Sequence, residues 1–538
     1  MSEIDINTAS PMSESTPHEG SSGSLAMSAG INSLGNIASR VLGLVREAVV
    51  AHLFGASGAT SVFNAISQVP KITYELLVGG MLSAALVPVL SEYATAERQR
   101  ELERILSILL SLSVVGILIV TAVLELLAPF ITPMLVVGLS DELIATGTRL
   151  VRIVVPAILI YGLSGILQAY HYARSRFVYP SMGAPAHNLG MIVAIVFLAG
   201  RLQIEALAVG TLVAATTQLL AQLPGLRGTR LSWSIDWHHP AVRRIAQLYA
   251  PVVLSIIIQN VGIIIDRNLA SRTVEEAITW MADATFLIQL PLGLVSMAIS
   301  LAVLPRLSQI DAYLELDRFK RTFSQGLRLV LVVIIPATVG LAVLGKPIIE
   351  LIFEHGEFLP ADTAQAWRAL QYYLIGLPFS AIDLPLVFAF YAQKDTATPV
   401  MVGILGVLVY LAVGPVLAFR TGLGFFGLVI ANSAQLMAHA LLMLMMFRRR
   451  FEGLRGCGVL RATSKALGAS VPLAVLAWGS YALLRHAPLP GGTVGEILLV
   501  GICGVAGVVG YILGARWLHI EDLDSVWRAV RRKFAGRA

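Results

Sequence analysis

Fourteen apolar runs, most close to 20 residues long, lie between residues 25 and 516, with short connections between them. A helix of that length crosses the ~30 Å hydrocarbon core of a bilayer. The runs fall at 25–54, 60–90, 105–130, 150–172, 180–201, 204–223, 245–270, 277–304, 326–345, 365–392, 398–418, 424–446, 466–485 and 496–516. Only helices and closed barrels satisfy their backbone groups in lipid, and runs this long and uniform are helical. The fold class is therefore an all-α polytopic membrane protein. Composition agrees: 13% of the 538 residues are charged, about half the ~25% of soluble domains. A soluble enzyme, a disordered chain and a disulfide scaffold are excluded. Two cysteines, Cys457 and Cys503, are too few for a framework or a zinc site.

Residues 1–24 are Ser-rich and acidic, without Lys or Arg, and read as a disordered tail. Residues 517–538 are basic and amphipathic and read as a surface helix. Of the 39 Lys and Arg, 27 belong to connections on one side of the membrane and 9 to the other. The positive-inside rule then predicts cytoplasmic termini in a multi-pass protein of the cytoplasmic membrane. Scattered between spans, these cations point to lipid and not to nucleic acid. The segments divide as 25–223 (first lobe, six helices), 245–446 (second lobe, six helices), 466–516 (two further helices) and the basic tail 517–538.

An internal match supports two lobes. Pro88-Val89-Leu90-Ser91 recurs as Pro305-Arg306-Leu307-Ser308, 217 positions later, and Gly43 to Glu47 resembles Gly262 to Asp266 at an offset of 219. A duplicated six-helix unit keeps both copies in the same orientation. Parallel repeats of that kind belong to transporters that rock two bundles about a central site.

Charges inside membrane helices face a cavity or a partner, because each costs at least ~2.5–3.5 kcal/mol at mid-bilayer. Asn36, Arg40, Gly43 and Glu47 share one face of the first segment, with Arg46 about 120° from Arg40. This stripe is either a structural ion pair or an anion-facing wall suited to phosphate. Lys71 and Glu75 are four apart and either neutralise each other or serve the same cavity. Asp266, Asp283 and Asp383 are candidates for a coupling cation or proton, or for helix caps. Asp266 is the stronger ion candidate because it occupies the repeat position of Glu47. Asp383, between Pro378 and Pro385, reads as a break in its helix. Asn432, Gln435 and His439 line the twelfth segment, where interhelical hydrogen bonding is the expected role. No phosphate-cradling loop, HExxH or nucleophile elbow is present, so no catalytic residue and no metal site is expected.

The run Ala38-Ser39-Arg40-Val41-Leu42-Gly43-Leu44-Val45-Arg46-Glu47-Ala48, continuing to His52-Leu53-Phe54-Gly55-Ala56, resembles the MurJ/MviN family of lipid II flippases in the MOP exporter superfamily. The resemblance continues through Pro70, Val87 to Tyr93, Gln289-Leu290-Pro291-Leu292-Gly293, Phe353 to Phe358, and Phe390 to Thr396 with Thr398-Pro399-Val400. It implies fourteen helices, with two six-helix lobes in a V around a cavity and two C-terminal helices forming a lipid-tail groove. It also implies a flippase, not an enzyme, that moves lipid II to the outer leaflet by alternating access for peptidoglycan and cell-wall biogenesis.

Carried over residue by residue, Arg40 and Arg46 are head-group ligands, with Glu47 in place of the family's aspartate and Lys71 beside them. No cofactor is implied. A coupling Na+ or H+, or the membrane potential, is a candidate driving force, with Asp266 the position to test. Expected partners are lipid II or a related polyprenyl-linked glycan, membrane lipids, and enzymes of cell-wall synthesis. Departures from the pattern leave the cargo open. The acid expected early in the second helix is Ser61, a basic pair falls on Tyr74 and Glu75, and an arginine of the eighth helix falls on Phe286. Another lipid-linked glycan or a drug-like cation is the alternative cargo.

Overall fold

The computed structural model describes residues 20–77, 81–95, 97–488 and 490–522, without the side chains of residues 20–33, 73–85 and 250–259. Most of both predicted tails and the side chains of Tyr74 and Glu75 lie outside the described residues. The first group of helices is α1 (Gly20–Phe54), α2 (Gly58–Ile66), α3 (Gln68–Leu77), α4 (Met81–Tyr93), α5 (Gln99–Leu135), α6 (Asp141–Val154), α7 (Ala157–Ala173), α8 (Val178–Leu202) and α9 (Glu205–Leu220). The second group is α10 (Pro240–Ala270), α11 (Ala277–Pro291), a π-helical turn at Leu292–Ser296, α12 (Met297–Ser308), α13 (Leu316–Phe353), α14 (Pro360–Ala392), α15 (Ala397–Arg420) and α16 (Phe425–Phe451). Two more helices follow, α17 (Val459–Leu484) and α18 (Thr493–Trp517).

Eleven described helical segments are long and apolar enough to cross a membrane. The other three expected crossings, at 25–54, 60–90 and 245–270, correspond to α1, to α2 through α4, and to α10, each of which includes residues whose side chains are not described. Large apolar side chains such as Leu126 and Phe197 point outward at 77% exposure, as a lipid-facing surface requires.

Close helix packing follows from small residues. Gly507, Gly510 and Gly514 of α18 abut Ala477, Pro472 and Ala469 of α17, so the backbones approach closely. Both helices pack on α13. Gly35 and Gly43 let α1 lie against Ser181 and Asn188 of α8 in the same way. Each group repeats one arrangement: α8 pairs with α9 and α15 pairs with α16. The matched prolines, Pro88 and Pro305, stand near the C-terminal ends of α4 and α12.

Several sequence motifs turn out to build joints. Gln393 accepts a hydrogen bond from the Ala312 backbone N–H (3.2 Å) and donates to the Ile310 carbonyl (2.9 Å), fastening the α14–α15 turn to the end of α12. Asp395 accepts bonds from the backbone and hydroxyl of Thr398 and pairs with Arg450 of α16. Burial pushes this carboxyl up, but those partners outweigh it and hold Asp395 below the usual carboxylate range. Asp383 does not break its helix, because α14 runs unbroken from Pro360 to Ala392. Its carboxylate instead accepts a 2.6 Å bond from His439 Nδ1 across to α16, which satisfies both groups in the membrane.

Candidate functional site

The two helix groups meet along a seam of neutral hydrogen bonds at one end of the bundle. Ser61 and Thr279 share a bond of 3.0 Å between α2 and α11, both side chains buried. The Glu357 backbone N–H donates to the His52 carbonyl at 3.0 Å. Asn268 and Ser271, at the end of α10, donate to the carbonyls of Met134 and Val137 at 2.6 and 2.9 Å. Two glycines make the fit possible: Gly55 (φ +57°) lies against the Glu357 backbone, and Gly356 (φ +62°) against His52. The Phe353–Phe358 motif therefore supplies part of the second group's side of this seam. Its His355 faces Thr493 and Glu496 of α18.

Beside the seam, between the groups, lies a cavity of about 490 Å³. Its charged lining is three cations, Arg46, Lys71 and Arg267, against two carboxylates, Glu47 and Asp283. Arg46 is held by its neighbours: Nη1 donates to Asn188 Oδ1 on α8 (2.9 Å), while Nη2 pairs with Glu47. Asn188 in turn donates to the Ser39 carbonyl (3.0 Å), so α8 fixes the α1 backbone and its arginine together. His187, Tyr161 and Thr211 complete the first group's wall, with a 2.8 Å bond between Tyr161 Oη and His187.

Of the site residues expected from sequence, Arg46, Glu47 and Lys71 come together in this cavity. Arg40 does not line it. Its guanidinium rests on Gly293 in the π-helical turn, where a Cβ would stand 2.6 Å from Nη2. The first-helix motif thus meets the Gln289-to-Gly293 motif of the other group. Asp266 also turns elsewhere, accepting a hydrogen bond from the Tyr410 hydroxyl of α15. Among the described residues no group of three or more His, Cys, Asp or Glu side chains is placed to hold a metal ion. Phe286 lines the cavity and packs edge-on against Phe353.

One functional candidate was missed by the sequence reading. Arg267 stands three residues before the end of α10 and reads there as a connection residue, yet it lines the cavity. Asp283, expected from sequence as a candidate for a coupling cation or proton or as a helix cap, lies in the cavity lining. It shares the cavity with Glu47, and its Oδ2 is buried without a hydrogen-bond partner.

A second cavity, of about 840 Å³, runs between α13, α17 and α18. It is walled by side chains such as Val332, Leu344, Leu473 and Ile512 and ends in Arg516, His519 and Glu521. This is where the resemblance expects a groove for a lipid tail.

Comparison with known proteins agrees with this architecture. The family described as "Lipid II flippase MurJ" matches residues 50–500. A protein of Vibrio cholerae named "Probable lipid II flippase MurJ" is 30% identical over 442 residues, 80% of this chain and 82% of the relative. The "Lipid II flippase MurJ" of Burkholderia cenocepacia is 27% identical over 81% of this chain and 86% of its own length. Among solved structures, a lipid II flippase MurJ in an inward closed conformation superposes with a TM-score of 0.73 at 21% identity. It covers 90% of this chain and 99% of the other. An inward-facing MATE transporter of the MOP superfamily gives 0.67 at 14% identity, covering 78% and 95%. With its motifs forming the joints and cavity of this shared fold, the chain belongs to the lipid II flippase MurJ family.

Proposed function

We infer that this chain is a flippase for lipid II, carrying the pyrophosphate-linked head through the cavity while the polyprenyl tail stays in lipid. The observation that supports this reading is the pairing of two unlike spaces in one molecule. One is a small cavity with a cationic surplus; the other is a larger apolar groove with a polar end. An amphiphile with an anionic head and a long hydrocarbon tail is the cargo such a pair suits. With both termini cytoplasmic in the cytoplasmic membrane, the seam lies at the outer face. The structure then corresponds to a state sealed toward the outside. Enzymes of cell-wall synthesis would supply and consume the cargo. Asp266, tied to Tyr410, is the position where a coupling cation would have to displace a hydrogen bond.

The test is outer-leaflet accessibility of lipid II in bacteria depleted of their own flippase and expressing this chain. Wild type restores it, and Arg46→Ala does not. Losing charge-assisted hydrogen bonds worth about 1.5–3 kcal/mol each predicts at least a tenfold fall. An Arg46→Ala protein that reaches the membrane and transports normally would remove the head-group role.

The two cavity carboxylates favour one other reading, a cationic cargo as in the MATE exporters. Asp283→Asn separates the two. Removing a carboxylate leaves transport of an anionic head intact or faster, whereas export of a cation such as ethidium collapses.

A further inference from the structure

We propose that Arg267 is the second group's anion ligand, and that it and Arg46 grip one pyrophosphate from opposite walls of the cavity. This rests on the flippase reading and adds to it a residue that no first-helix motif contains. Arg267 follows Asp266 on α10, and successive helical side chains point about 100° apart. With Asp266 turned to Tyr410 on α15, Arg267 is directed into the cavity instead.

Its donors there are barely used. Nη1 makes one long bond, 3.5 Å, to the Ile278 carbonyl, and Nε is buried with no partner. No carboxylate lies within ion-pair distance among the described residues, although this cavity contains two. A guanidinium carries five N–H donors, and a buried donor left without a partner costs free energy. A purely structural arginine in this setting would have been given an acid. An arginine kept short of partners is one whose partner arrives with the ligand, and its planar fork matches two phosphate oxygens.

Arg46 differs in a useful way. It is already oriented by Asn188 and Glu47, so one wall is preset while the other is open to be satisfied. Because the two arginines belong to different helix groups, an anion touching both ties the groups together. Head-group binding then bears directly on the movement that carries the head across.

Phe286 supplies the control. It lines the same cavity from the neighbouring helix α11, so an arginine placed there restores a guanidinium to the second group's wall. The measurement is binding of lipid II, undecaprenyl pyrophosphate and undecaprenol to full-length protein in nanodiscs. Thermal stability without ligand is followed alongside.

Arg267→Gln is expected to weaken both pyrophosphate lipids by about ten- to a hundredfold. Undecaprenol binding stays unchanged, and ligand-free stability is unchanged or higher. Arg267→Lys, which keeps the charge and loses the fork, falls between. Arg267→Gln/Phe286→Arg recovers most of the loss.

Wild-type affinity in Arg267→Gln overturns the proposal, as does an equal loss for undecaprenol with a lowered melting temperature. If wild type binds undecaprenyl pyrophosphate in an Arg267-dependent way but not lipid II, the anion grip stands and the lipid II reading falls. Binding of neither lipid overturns both.

Discussion

A valine at Gly356 leaves the protein in the membrane and stops transport, because the sealed end of the bundle no longer closes. At φ +62° the position suits glycine, and a β-branched residue there is a genuine outlier. The wrong backbone region alone costs roughly 1–2 kcal/mol. A Cβ would also meet the His52 carbonyl and imidazole, on the far side of the seam. The strain has one ready outlet, separation of the helix groups, which breaks the Glu357-to-His52 bond first. The expected result is at least a tenfold loss of flipping, from the ~10-fold population shift that 1.4 kcal/mol produces. Cavity residues should also become reachable from the seam side. Asn64→Cys, in a Cys457→Ser/Cys503→Ala background, reports this through reaction with a membrane-impermeant maleimide. Slow labelling together with normal flipping in Gly356→Val would show that the seam does not control access.

The opposite manipulation has an equally large effect. Ser61 and Thr279 face each other with 3.0 Å between hydroxyl oxygens, a separation compatible with the short Cβ–Cβ distance of a disulfide. In the same cysteine-free background, Ser61→Cys/Thr279→Cys should cross-link on mild oxidation and hold the groups in the sealed state. Transport stops when the bond forms and returns with reductant, while either single cysteine transports normally throughout. The fraction cross-linked is read from protection against a polyethylene-glycol maleimide. Undiminished flipping by fully cross-linked protein would rule out seam opening as part of the cycle.

Much of the architecture is written in the chain because its solvent is lipid. Where every buried backbone group must be bonded within its own helix, a long apolar run has one outcome, and the segments follow from it. Arg46, Glu47 and Lys71 were legible because charge is conspicuous there. What stayed hidden depends on direction and not on composition. Arg40 and Arg46 are six residues apart on one helix, yet one rests on Gly293 and the other on Asn188. Arg267 counted as an orientation signal because it stands close to the end of α10. Only the packing of that end into the seam, through Asn268 and Ser271, turns it inward. Asp383 looked like a helix break between two prolines. Its partner His439 lies 56 positions away on α16, beyond the reach of any local rule.

The two ends of the bundle are joined by different chemistry. Away from the seam, α10 and the stretch before it are held to the first group by the ion pairs Arg244 to Glu92 and Arg104 to Asp236 and by a hydrogen bond between His239 and Glu101. Among the described residues the seam contains no ion pair and is held by amides and hydroxyls. Mobile ions screen charge within about 8–10 Å at ordinary ionic strengths but leave neutral hydrogen bonds almost untouched. A latch of this composition keeps its strength when a cell moves from dilute water to brine. On the proposed orientation it is also the latch exposed to the environment, so the machine's outer door is indifferent to the weather.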